Sequence, residues 1–207
     1  MKIGIVDTMG VIGAVVAVIL LAVTSPAVGA DAPSAPATTA ATNMGPWLVK
    51  PPKSGQWTAK RRSKDGIAWV RDDGSIAYFQ AFLLPRVGTE QALVNEVRTF
   101  SAKVLSGSGK GRIVDANYVI SRARAYPCVK ATLAVETASA TAATAQPSAV
   151  FVQSRALICH STDEPEVGVF IGFSYPGAVA SKTLEADAQA FINGATLVAG
   201  GRRKWER

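Results

Sequence analysis

An α+β domain built on an antiparallel β-sheet is what this sequence predicts, and three features predict it. Runs of alternating apolar and polar residues recur at short spacing, an Asp-Gly dipeptide separates two of them, and two stretches repeat apolar residues at helical spacing. The 207 residues amount to one to one and a half average domains, so a single core with extensions is expected and a large multidomain enzyme is excluded. With 48% hydrophobic residues, four Trp and seven Phe, the chain can fill a core, which argues against wholesale disorder.

The first segment stands apart from that domain. Residues 8–30 carry no charge, Lys2 supplies a positive n-region, and Val28-Gly29-Ala30 before Asp31 places small residues where a signal peptidase reads. Residues 1–30 are therefore predicted to be a signal peptide. The alternative is an uncleaved anchor through residues 9–28, because a spanning helix needs about 20 residues. Either way the domain is expected outside the cytosol, periplasmic or secreted in the first case and held at the inner membrane in the second. No Cys follows the apolar run, so a lipid-modified N-terminal Cys is excluded. Residues 31–46 form a Pro/Ala/Thr tract without periodicity and read as a flexible linker.

The domain is placed at residues 47–198. Residues 47–64 contain two Trp, several Pro and Gly breaks and a basic cluster, and are expected to lead irregularly into the fold. Asp73-Gly74 between residues 67–71 and 75–84 predicts a hairpin with a two-residue turn, which would set Trp69 opposite Tyr78 and Ala68 opposite Phe79. Leu93, Val97, Phe100 and Val104 then recur at helical spacing, with Thr89 as cap, Glu90 at the positive end and Gly107 as terminator. Four alternating runs follow, at 112–121, 126–136, 149–159 and 167–175. A second helix is expected over 183–193, with Leu184, Ala188 and Phe191 in one stripe. Residues 199–207 form a basic tail.

Export also decides the state of the two cysteines, because thiols outside a reducing compartment pair. Cys128 and Cys159 are expected to form a disulfide, the alternative being two buried thiols. If they are directly opposed, Val129 meets Ile158, Ala131 meets Ala156, Leu133 meets Ser154 and Val135 meets Val152, which makes one face mostly apolar and leaves the other more polar.

The order strand, strand, helix, four strands, helix resembles the PsbP/Mog1-like fold family over roughly residues 47–198. The segments that carry the likeness are the early hairpin at 67–84, the helix around 93–104, the four-strand meander and the closing helix around Ala188-Gln-Ala-Phe-Ile-Asn193. The resemblance implies an antiparallel sheet sandwiched by helices, and interaction more than catalysis, since no catalytic motif defines the family and its members are mostly binding or accessory proteins. The chain departs from the family's exported lipoproteins in lacking the lipidated Cys and in having the Cys128/Cys159 pair.

Motifs for chemistry are sparse. Two Cys and one His cannot make a tetrahedral Cys/His zinc site, and neither metal nor cofactor is expected. Gly107-Ser-Gly-Lys-Gly111 has Val104 and Gly111 where a phosphate loop needs Gly and Ser or Thr, and it joins a helix to a strand, so it reads as a connector. Gly172-Phe-Ser-Tyr-Pro176 has Pro where a nucleophile elbow needs its last Gly, and Ser174 is expected to be structural. His160 with Asp163, Glu164 and Glu166 offers a general base, the basis of the alternative reading as a small envelope hydrolase.

The formal charge of +7 is the stronger lead. Lys60, Arg61, Arg62 and Lys64 precede the first predicted strand, Arg122 and Arg124 lie in a turn, and Arg202, Arg203 and Lys204 close the chain. These are the candidate anion contacts, with an envelope protein, a lipid headgroup or an anionic polymer as expected partner. Nucleic acid would be the partner only if the chain were not exported. The sequence thus points to a non-catalytic binding or accessory protein of the bacterial cell envelope, one with no enzymatic activity.

Overall fold

The computed structural model describes residues 40–63, 65–85, 87–107, 111–124, 126–138, 149–160, 166–177 and 181–198. The signal-peptide segment, most of the linker, Lys64, Asp163, Glu164 and the C-terminal tail lie outside these residues.

Ten strands and two helices make an α+β fold with two antiparallel sheets among the described residues. The strands are β1 (Thr42–Met44), β2 (Trp47–Val49), β3 (Thr58–Arg62), β4 (Gly66–Val70), β5 (Ile76–Leu83), β6 (Gly111–Ser121), β7 (Cys128–Ala138), β8 (Ala149–His160), β9 (Val167–Pro176) and β10 (Thr196–Leu197). The helices are α1 (Glu90–Gly107) and α2 (Lys182–Gly194). The larger sheet runs β3-β4-β5-β9-β8-β7-β6, and the smaller runs β1-β2-β10.

The four-strand meander forms as the alternation predicts, in the register set by the cysteines. Cys128 faces Cys159, Val129 faces Ile158, Ala131 faces Ala156, Leu133 faces Ser154 and Val135 faces Val152. Alternate residues enter different clusters. Cys128, Leu157, Ile171 and Phe173 join Trp47, Trp69, Phe191 and Ile192, whereas Val129, Ala131, Ala156 and Ile158 join Leu93, Val94 and Val97 of α1. This is the period-two separation that a pleated strand imposes.

Both helices form where expected. The Thr89 hydroxyl accepts from the Ala92 N–H at 3.1 Å, capping α1, and α1 ends at Gly107. Helix α2 starts slightly earlier than its apolar stripe suggests, because Ser181 caps it by accepting from the Leu184 N–H at 3.2 Å.

Three expectations are corrected. Thr42–Met44, inside the tract read as linker, is a strand, and Met44 is buried: β1 pairs with β2 through a turn in which Gly45 takes a positive φ of 57°. Residues 47–64, expected to be irregular, contain β2 and β3. These strands are too short, or too cationic, to show alternation. The first hairpin is also shifted by one residue, with Trp69 facing Ala77 and Ala68 facing Tyr78. The two-residue hairpin turns, I′ and II′, need positive φ at their first central residue, and Asp73 does not adopt it. Instead the Gly74 N–H bonds the Arg71 carbonyl and the Arg71 N–H bonds the Ser75 carbonyl, each at 2.9 Å, with Gly74 at φ 82°. The loop is a three-residue turn closed by a glycine in the left-handed region.

Close approach across β9 explains its glycines. A Cβ on Gly172 would lie 2.2 Å from Cζ of Tyr78, and one on Gly168 would lie 2.7 Å from Cβ of Leu84. Ser174, between them and the strand end, is buried and donates to Ser154 at 3.1 Å, so it is part of the sheet's interior and not an elbow.

Candidate functional site

One cleft gathers residues that the sequence marks separately. It has a volume of about 390 Å³ and lies over the first turn of α1, bounded by the β6–β7 connection and the end of β8. Arg122, Arg124, Tyr126 and Pro127 come from the connection, Val87 to Glu90 and Leu93 from the helix start, and His160 from β8. Behind it the Cys128 and Cys159 sulfurs are 2.16 Å apart, at disulfide distance, and both residues are fully buried. Pro127 and His160 are the immediate neighbours of these cysteines in sequence, so the bridge fixes two walls of the cleft relative to each other.

The two arginines have different duties. Arg122 is largely exposed and grips Glu90 with both arms, Nε to Oε1 at 3.1 Å and Nη2 to Oε2 at 2.6 Å. Glu90 also sits in the first turn of α1, where the helix dipole favours a negative charge. Arg124 turns inward. It donates to the carbonyls of Ile192 at 2.8 Å and Ala195 at 2.6 Å, satisfying the C-terminal end of α2, and its guanidinium stacks over Trp47 at 5.5 Å. Trp47 in turn meets Tyr126 edge to face. Burial raises the Tyr126 phenol above its usual pKa, opposed by its hydrogen bond from Arg124. Arg124 is thus chiefly a structural cation, while Arg122 holds a largely exposed ion pair with Glu90.

The other predicted anion contacts do not join this cleft. Lys60 is exposed on β3, and Arg61 and Arg62 lie on the same strand, at the opposite edge of the sheet from β6. Arg202, Arg203 and Lys204 lie outside the described residues. Around His160, no group of three or more metal-ligating side chains occurs among the described residues. Glu166 uses its backbone carbonyl to accept from the Leu84 N–H at 2.9 Å.

Sequence reasoning missed two polar ties that fix α2. Glu185 bonds Arg155, and the Tyr175 hydroxyl donates to the same carboxylate at 3.1 Å. Asp187, buried on α2, accepts from Ser54 and faces Arg71 at 3.6 Å, and Arg71 stacks over Trp57. Both acids look like ordinary residues near a helix start in the sequence, and only the long-range contacts reveal their partners.

The chain matches no protein-family model, and no curated protein matches it. Among the described residues no helix is long and apolar enough to cross a membrane.

Proposed function

We propose that this is an exported, non-catalytic binding or accessory protein of the bacterial cell envelope, and that the cleft over α1 receives an anionic group of its partner. The observation that carries this reading is the convergence of the largely exposed Arg122 and of His160 on one cleft that Arg124 braces and a cysteine pair backs. A protein brought to the envelope gains about 1 kcal/mol for each basic residue held close to an anionic surface. Pairing of the buried cysteines supports export, because such bonds persist in oxidising compartments. Of the two hydroxyls in the cleft, Thr89 is committed to capping α1 and the Tyr126 phenol is held protonated by burial and bonded to Arg124, which favours binding over a hydrolytic use of His160.

For the architecture, the proposal retains the PsbP/Mog1-like likeness, with a sheet covered by α2 on one face and α1 on the other. The two separate side-chain clusters, one holding α2 residues and one holding α1 residues, support it.

His160 is the only histidine in the chain, so its imidazole resonances report on the cleft without assignment ambiguity. Titration with inorganic phosphate and with phosphatidylglycerol vesicles is expected to shift them, phosphatidylcholine vesicles are expected not to, and Arg122→Ala is expected to abolish the shift. Glu90→Gln, which releases Arg122, is expected to strengthen it. Resonances that ignore every anionic probe would overturn the proposal.

A further inference from the structure

The larger sheet ends on β3 and β6, and the two edges are built differently. Strand β3 carries Lys60-Arg61-Arg62 and an irregularity between Ala59 and Arg61. Charges and bulges of this kind discourage a second strand from pairing. Strand β6 has its own irregularity between Ile113 and Asp115, but from Ala116 to Ser121 it runs in unbroken register with β7. That stretch reads Ala-Asn-Tyr-Val-Ile-Ser, with no charge and no proline, and its Ala116, Asn117 and Val119 are exposed.

The cysteines fix which backbone groups of β6 point outward. The Cα atoms of Cys128 and Cys159 are 4.2 Å apart, the spacing of a directly opposed pair without mutual hydrogen bonds. Cys128 therefore aims its N–H and C=O away from β8 and toward β6, which makes Cys128 and Ser121 a hydrogen-bonded pair. Counting back along β6, Ser121, Val119 and Asn117 bond to β7. Ala116, Tyr118 and Ile120 aim their N–H and C=O groups out of the sheet, and this set is symmetric about Tyr118.

We propose that this edge pairs with the same edge of a second copy of the chain, antiparallel about a two-fold axis at Tyr118, joining two seven-stranded sheets into one. In that register Ala116 faces Ile120 of the second copy, Tyr118 faces its equivalent and Asn117 faces Val119 of the second copy. The three outward pairs exchange about six N–H···O bonds. A two-fold arrangement needs only one patch, used by both copies, and the outward groups of β6 already form such a self-matching set.

The test is sedimentation of the oxidised full chain over a range of concentrations, with hydrogen exchange read amide by amide. The expected result is a dimer in which the Ala116, Tyr118 and Ile120 amides exchange roughly tenfold or more slowly than in the diluted monomer. Ala116→Pro removes an outward donor while leaving the β6–β7 ladder intact, so it is expected to give a monomer with an unchanged far-ultraviolet circular dichroism spectrum. A wild-type chain that stays monomeric at about 1 mM overturns the proposal. So does a dimer in which those three amides exchange freely, or one that persists in a folded Ala116→Pro variant. Slowed exchange at these amides in the wild-type dimer supports the pairing even if the proline variant fails to fold.

Discussion

Replacing Gly172 by Ala tests the packing of the sheet at its tightest point. The added Cβ would lie 2.2 Å from Cζ, 2.3 Å from the hydroxyl oxygen and 2.6 Å from Cε2 of Tyr78. Ordinary carbon contacts are about 3.5 to 4.0 Å, so the ring must move by more than about 1 Å. It has little room, because Tyr78 is buried, stacked on Phe170 with centroids 5.2 Å apart, and its hydroxyl is hydrogen-bonded with Ser154 and Ser174. Backbone strain does not contribute, since Gly172 does not have a positive φ. Overpacking costs about 1–3 kcal/mol, and stranding the buried hydroxyl adds about 1–3 kcal/mol, so a loss near 3 kcal/mol is expected. Urea unfolding should show the midpoint falling by roughly 1–2 M at unchanged slope. Combined with Tyr78→Ala, which removes the obstructing ring, Gly172→Ala should cost less than about 0.5 kcal/mol, a strong departure from additivity. A single Gly172→Ala variant as stable as the wild type, or strictly additive losses, would refute the seating of Tyr78 on Gly172.

Stability should fall at both ends of the pH scale for identifiable reasons. Burial raises the Tyr78 and Tyr175 phenols to about 12, so their contributions are complete below pH 10 and are lost as pH rises toward 12; unfolding curves of Tyr78→Phe should show a smaller alkaline limb than the wild type. The Arg71 guanidinium hydrogen-bonded to Asp73 lowers its carboxyl to about 2, so that contribution is complete above about pH 4 and is lost as pH falls toward 2, and Asp73→Asn should flatten the acid limb. Reduction of the Cys128–Cys159 pair, which closes a loop of sequence separation 31, should cost about 3–4 kcal/mol in denaturant unfolding. Intact mass of envelope-fraction protein should begin at Asp31 and rise by two hydrogens on reduction; residues 1–30 still attached, or free thiols, would each remove one half of the export argument.

Much of this fold is written in local pattern. The meander is legible because Val129, Ala131, Leu133 and Val135 alternate with polar neighbours, and a single assumption, that Cys128 faces Cys159, sets the register of β7 on β8. The helices are legible through Thr89, Gly107 and their apolar spacing. The small sheet is not, because β1, β2 and β10 have three, three and two residues, too few for a period to register, and what holds them is distant: Trp47 packs on Phe79 and Tyr126. The hairpin shift arises because Asp-Gly, a preferred pair for a two-residue turn, also serves a three-residue turn that ends on the glycine, and Arg71 bonding to Asp73 accompanies the longer one. For the cleft, the basic residue types were readable, but their division of labour was not: nothing near Arg124 in sequence announces that the carbonyls of Ile192 and Ala195 await it.

The small sheet places the first and last described strands on either side of β2, with Thr196 opposite Leu48 and Thr42 opposite Val49. A chain made from its N-terminus delivers β1 and β2 early and β10 late. The β1–β2 hairpin therefore gains its second neighbour only once β10 is available. Arg124 likewise finds its carbonyl partners only when the end of α2 is in place. This seam ties residues near the start of the described chain to residues near its end, so it can close only when both are present.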